Sequence, residues 1–160
     1  MAIFQSAVTV VELLKAKNQS VAVAESLTGG GVGAALTAVA GASEVFLGGV
    51  IAYSSSVKES LLKVKKETIA EHGAVSEEVA VAMADGIREL LGSTWGVATT
   101  GVAGPGDADG VAAGTVWIAI TGPVNQSTQL EVEGEREVVR NASVSSTVST
   151  FERILRSLKA

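Results

Sequence analysis

The run SVAVAESLTGGGVGAAL, residues 20–36, constrains the fold more than any other stretch of the chain. Alternating small and apolar residues as far as Glu25 predict a strand, and the glycines with the alanine-rich segment behind them predict a sharp turn into a helix. Ser26 stands at the strand's carboxyl end, directly before Gly29, Gly30 and Gly31. Glycines there let a ligand come close to the main chain, and a helix N-terminus offers unpaired N–H donors suited to an anion or a developing oxyanion. The same serine reads equally well as a helix cap or turn residue.

Around this junction the chain alternates strands and helices. Phe4, Ala7, Val8, Val11 and Leu14 recur at helical spacing, so a first helix is expected to end near Lys17. The turn helix should run from about Gly30 to Val39, followed by a strand over Val45–Ser54 whose Gly48 and Gly49 mark a bulge or a close backbone approach. SSVKESLLKV, 55–64, reads as a helix capped near Ser55 or Ser56, which puts Lys58 in a first turn whose dipole opposes a cation. A helix from Ser76 to Gly92, a strand over 95–100, a loop over 101–110, a hairpin of 114–121 with 127–133 and a long helix from Glu135 complete the order. One domain over 1–160, a three-layer α/β/α sandwich around a mixed sheet, follows from this alternation. Ligands of such sheets bind beyond the strands' carboxyl ends, which brings Ser26, Tyr53, Lys58 and Thr100 toward one cleft.

Composition narrows the chemistry. There is no cysteine and a single histidine, His72, so thiolate catalysis, disulfides and His-cluster metal sites are not expected. His72 precedes Gly73 and reads as a residue of a helix's last turn. A net charge of −5 disfavours nucleic acid and anionic membranes as partners. The N-terminus lacks a basic signal start, and turn residues at 122–127 break the one long uncharged run, so a cytoplasmic protein without a membrane span is expected. An apolar content of 47% predicts a buried interface in a homo-oligomer.

Any nucleophile is then a hydroxyl, and its base a lysine, tyrosine or carboxylate. Ser26 with Lys58 meets this if burial or nearby positive potential, some of it from helix N-termini, brings the lysine from its ordinary pKa of about 10.4 toward neutrality. Tyr53 could relay a proton or orient the lysine, and amides of the Gly29–Gly31 turn could hold an oxyanion. Glu25 competes as a base, but in a regular strand it points away from Ser26. No Walker A loop is present, since no GK[ST] follows the glycines, and Ala34 spoils a dinucleotide fingerprint.

AESLTGG at 24–30, GGVIAYSSSVK at 48–58, HGAVSEEVA at 72–80, TGVAGPG at 100–106 and GTVW at 114–117 together resemble the CinA C-terminal domain family. The resemblance implies an amidohydrolase that converts nicotinamide mononucleotide (NMN) to nicotinic acid mononucleotide and ammonia with neither metal nor cofactor. It also implies Ser26 as nucleophile, Lys58 as general base and Tyr53 as an accessory group. Thr28, Gly29, Gly30, Thr100 and Gly101 fall in motifs that would bind substrate, and Arg136 and Arg140 resemble arginines that would meet its phosphate. The chain departs from the family pattern at Leu27, Ser55 and DADGVAAG, 107–114, where a Lys-Pro pair is missing and two aspartates stand instead. That departure supports an alternative, a non-catalytic nucleotide-binding or protein-interaction module.

Overall fold

The strand that leads into the glycine turn lies inside the sheet and is buried along its whole length. In the computed structural model, which describes residues 2–158, five strands lie side by side. They are β1 (Val21–Glu25), β2 (Phe46–Ile51), β3 (Trp95–Gly101), β4 (Thr115–Thr121) and β5 (Gln126–Glu131), in the order β2-β1-β3-β4-β5. β1 runs parallel to both of its neighbours, whereas β3–β4 and β4–β5 are antiparallel, so the sheet is mixed as expected. The helices are α1 (Ala2–Lys17), α2 (Gly31–Thr37), α3 (Ser55–Ser60), α4 (Lys66–His72), α5 (Glu77–Leu91) and α6 (Arg136–Ser157). Met1, Lys159 and Ala160, the ends of the expected domain, lie outside the described residues.

Alternation along the strands sends two different surfaces to the two helical layers. Val21, Val23, Trp95, Val97, Val116, Ile118 and Ile120 pack under α1, α2 and α6. The edge of Trp95 meets Phe151 there, with ring centroids 5.5 Å apart. The opposite face is built from Ala22, Ala24, Ala98 and Ala119 beneath Val79, Met83 and Ile87 of α5. Small residues draw α5 down onto the sheet. A side chain at Gly96 would overlap the Ala84 carbonyl oxygen, and one at Gly86 the Leu62 carbonyl oxygen.

Both expectations for Gly48 and Gly49 are met. Pairing slips between Val21–Phe46 and Ala22–Gly48, leaving Leu47 as a bulge, and a Cβ on Gly49 would stand 2.6 Å from the Val23 carbonyl oxygen. β2 forms one edge of the sheet and exposes Leu47 and Ile51, apolar surface of the kind that the expected homo-oligomer would cover. Among the described residues no helix is long and apolar enough to cross a membrane.

Several boundaries differ from the sequence reading. α2 stops at Thr37 instead of Val39, and a short 3-10 turn over Ala42–Glu44 follows it. The expected helix over 55–64 ends at Ser60, because the chain adopts a left-handed turn at Lys63 (φ 59°) before α4. Its cap is Ser54, whose hydroxyl accepts from the Val57 amide at 3.3 Å, so Lys58 falls in the last turn of α3. The helix dipole there favours a cation, contrary to the expected misfit.

Glu25 points away from Ser26 as alternation requires, and its carboxylate is consumed by α2. Oε1 and Oε2 accept the Val32 and Gly33 amides at 2.8 and 3.0 Å, in a side chain that is fully buried. The protein's own carboxylate therefore caps the helix that the sequence suggested for an exogenous anion. Replacing Glu25 by Gln removes the charge and sets an NH2 donor against one of two amide donors. Urea unfolding is expected to show a loss of about 2 kcal/mol, the scale of a charged hydrogen bond; a change below about 0.5 kcal/mol would contradict this role.

Candidate active site

Ser26 follows the last residue of β1, and its amide is bonded to the Thr99 carbonyl at 3.0 Å, which keeps it in register with β3. The chain then turns through Leu27–Gly30, with Gly29 and Gly30 at φ 59° and 100°, values that glycine adopts without strain. This turn delivers the Ser26 hydroxyl to the α3 side of the sheet. Lys58 comes from α3, whose position is fixed where β2 ends; the Ala52 amide donates to the Glu25 carbonyl at 2.8 Å.

The lysine ammonium donates to Ser26 Oγ at 3.0 Å, to the Ala52 carbonyl at 2.8 Å and to the Tyr53 carbonyl at 3.2 Å. Lys58 is 2% exposed and Ser26 6%. Among the described residues no carboxylate forms an ion pair with this ammonium. Burial without a counter-charge lowers its pKa from 10.5 to about 8. Desolvation by burial, one of the two causes expected from the sequence, accounts for the shift. A neutral fraction of Lys58 therefore exists near neutral pH, and a neutral amine 3.0 Å from a hydroxyl can accept its proton.

The cleft above the pair has a volume of about 210 Å³ and is lined by Tyr53, Ala74, Thr100, Gly101, Asp109 and Arg136, among others. Ser26, Lys58, Tyr53, Thr100, Gly101 and Arg136 thus meet at one place, although they come from five separate segments. Thr100 Oγ1 donates to the Ala74 carbonyl at 2.7 Å and so ties the segment after α4 to the cleft. Of the two roles expected for Tyr53, orienting the lysine falls to its main chain and not to its phenol. Its main-chain carbonyl orients the lysine, while its phenol, on a residue 62% exposed, accepts from Arg136 Nη2 at 3.1 Å.

Four expected substrate contacts are placed elsewhere. Thr28 is buried, with its hydroxyl bonded to that of Thr99 at 2.7 Å. Gly29 and Gly30 do not line the cleft; the Gly29 amide donates to the Ser26 carbonyl at 3.1 Å, and a Cβ on Gly30 would press on Ile51. The Gly31 amide donates to the Thr28 carbonyl at 3.0 Å, so two of the three glycine amides suggested for an oxyanion are already bonded. Arg140 reaches across from α6 and donates through Nε to the Leu27 carbonyl at 3.0 Å and through Nη2 to the Thr28 carbonyl at 3.4 Å. Its guanidinium thus holds the nucleophile turn, and the residue also lines a neighbouring cavity of about 820 Å³ together with Arg136. His72 ends α4 as expected, between Glu71 and Glu78, and is not among the residues lining the cleft.

Sequence reasoning missed Ala74, Val75, Ala103 and Asp109 as wall residues. Ala74, Val75 and Ala103 lie inside the family motifs at 72–80 and 100–106, and Asp109 in a strong Asp-Gly turn, but nothing local shows that these segments meet over the strand ends.

Fold and site together define a three-layer α/β/α sandwich that carries a buried serine–lysine pair at a strand-to-helix turn. Comparison with known proteins narrows it. The model of the CinA C-terminal domain matches residues 4–155, and the chain belongs to that family. A CinA-like protein of Parasynechococcus marenigrum is 45% identical over 94% of this chain and 36% of its own length. One from a Synechococcus strain is 56% identical over 71% of this chain and 28% of its own. The chain thus spans about a third of the length of the curated relatives it matches. Crystal structures of the CinA superfamily protein from Klebsiella pneumoniae and of the competence/damage-inducible protein CihA from Agrobacterium tumefaciens superpose with TM-scores of 0.93 and 0.92. They are 33% and 29% identical to this chain and are covered over 99% and 97% of their lengths.

Proposed function

We propose that this chain is a nicotinamide-nucleotide amidase, hydrolysing NMN to nicotinic acid mononucleotide and ammonia. The observation that carries the reading is the 3.0 Å contact between a buried, counter-charge-free Lys58 and the Ser26 hydroxyl at the floor of a cleft. Neutral Lys58 takes the Ser26 proton as Oγ attacks the carboxamide carbon, and the C=O electrons move onto oxygen. Collapse of that intermediate breaks the C–N bond, with the lysine's proton passing to the leaving nitrogen as ammonia departs. Water then attacks the ester, Lys58 again takes the proton, and the acid leaves as Ser26 is reprotonated.

The oxyanion needs donors, and the sequence motif suggested the glycines. Among the described residues the Leu27, Thr28 and Gly30 amides have no protein acceptor. Leu27, the residue after the nucleophile, holds the position that supplies an oxyanion donor at other strand-to-helix nucleophile turns. Arg140 holds the turn through the Leu27 and Thr28 carbonyls. The reading assigns an anionic group of the substrate to Arg136, which lines the cleft.

Purified protein supplied with NMN is expected to release ammonia and acid in equal amounts. A Ser26→Ala control should be silent. Tight binding of NMN without any ammonia would favour the non-catalytic nucleotide-binding module.

A further inference from the structure

The cleft over Ser26 adjoins a second cavity of about 300 Å³, and Tyr53, Gly101, Asp109 and Arg136 line both. Two opposite charges stand at this junction without pairing, since Asp109 and Arg136 form no ion pair among the described residues. Arg136 is held by the Gly104 carbonyl at 2.6 Å and the Tyr53 hydroxyl at 3.1 Å. Asp109 is held by its main chain. It shares with Gly110 a two-residue turn at φ 49° and 77°, closed by reciprocal Ala108–Val111 hydrogen bonds of 3.0 and 2.8 Å.

The two aspartates of this loop differ in what they do. Asp107 Oδ1 accepts the Ala113 amide at 3.1 Å and is spent on the loop itself. The Asp109 carboxylate accepts no protein hydrogen bond among the described residues and stands exposed at the rim of both cavities, unspent on the fold. The exposed residue Tyr53 lines the same two cavities. A carboxylate next to an aromatic ring suits a cation, and an aromatic cation best.

A nicotinamide substituted on its ring nitrogen is a permanent cation, and the charged nitrogen is meta to the ring carbon that bears the carboxamide. With the carboxamide carbon at Ser26, the ring is directed outward into the junction, and an anionic substituent can continue to Arg136. We infer that Asp109 is the specificity-determining residue by which this cleft prefers a permanently cationic pyridine carboxamide to its neutral counterpart. The inference rests on the amidase reading above for the class of ligand, and its test is separate from turnover.

Ser26→Ala protein, which cannot turn over, would be titrated at low salt with nicotinamide and with nicotinamide methylated on its ring nitrogen. The expected result is about tenfold tighter binding of the methylated cation, the scale of one partly screened charge pair. Adding Asp109→Asn should bring the ratio near one and leave the nicotinamide Kd unchanged. Asn tolerates the left-handed turn, so the loop should keep its shape, which thermal melting checks. Equal affinity for both probes, a preference that survives Asp109→Asn, or equal weakening of both probes would overturn the inference. Failure to release ammonia from NMN would sink the amidase reading while leaving this ratio intact.

Discussion

Ser26→Ala and Lys58→Ala are each expected to lower kcat/KM for NMN by about a thousandfold or more, with the double variant losing little beyond either single one. The reason is that the two groups perform one event. Without the hydroxyl there is nothing to deprotonate, and without a neutral amine the hydroxyl keeps its proton. Lys58→Arg should be as inactive as Lys58→Ala, because a guanidinium stays charged at any working pH and cannot accept a proton. Steady-state kinetics on folded variants checks this. Activity near the parent's in Lys58→Arg would make residue 58 a cation that only positions or neutralises, and would remove the proposed base.

The second large effect is on pH. With the Lys58 pKa lowered to about 8, kcat/KM should rise roughly tenfold per pH unit below that value and level off above it. From pH 6 to pH 8 the gain is therefore on the order of a hundredfold. The same shift bears on stability, with a definite sign. Between about 8 and 10.5 the unfolded lysine is protonated while the folded one is not, so the unfolded state binds more protons and unfolding becomes harder as pH rises. Below about pH 8 both states carry the charge, and the full cost of burying it is present. Relative to Lys58→Met, which has no proton to lose, the parent should gain stability across that window in urea titrations. Parallel pH curves for the two proteins, or a rate still rising tenfold per unit beyond pH 9, would place the lysine's pKa at its ordinary value, and a rate profile flat from pH 6 to 9 would remove the lysine as the base.

Much of this site was legible because it depends on local pattern. Alternation in residues 20–25 and the glycines after them fixed where Ser26 would stand, and alternation also put Glu25 on the far face. The order of strands and helices then brought Lys58 and Thr100 to the same end of the sheet. What was illegible depends on how distant elements approach one another. Nothing near Glu25 indicates that its carboxylate is spent on Val32 and Gly33, since that needs the tilt of α2 against β1. That Arg140 also holds the Leu27 and Thr28 carbonyls was not legible either, because it depends on the crossing of α6. Thr28 likewise lies in a site motif but turns its hydroxyl inward to Thr99. The dipole argument for Lys58 failed on one boundary, because ending α3 at Ser60 moves the lysine from a first turn to a last one. Its lowered pKa survives that error because burial alone accounts for it.

The central claim is that Ser26 becomes acylated while Lys58 handles its proton. Rapid acid quench of the protein with NMN, followed by mass spectrometry of the peptide carrying Ser26, tests it most directly. The expected result is a transient nicotinoyl ester on Ser26 that forms before ammonia reaches its steady rate, decays as the acid appears, and is absent in Ser26→Ala. Acid released at the parent's rate with no adduct on Ser26 at any time, and with Ser26→Ala still active, would contradict the account.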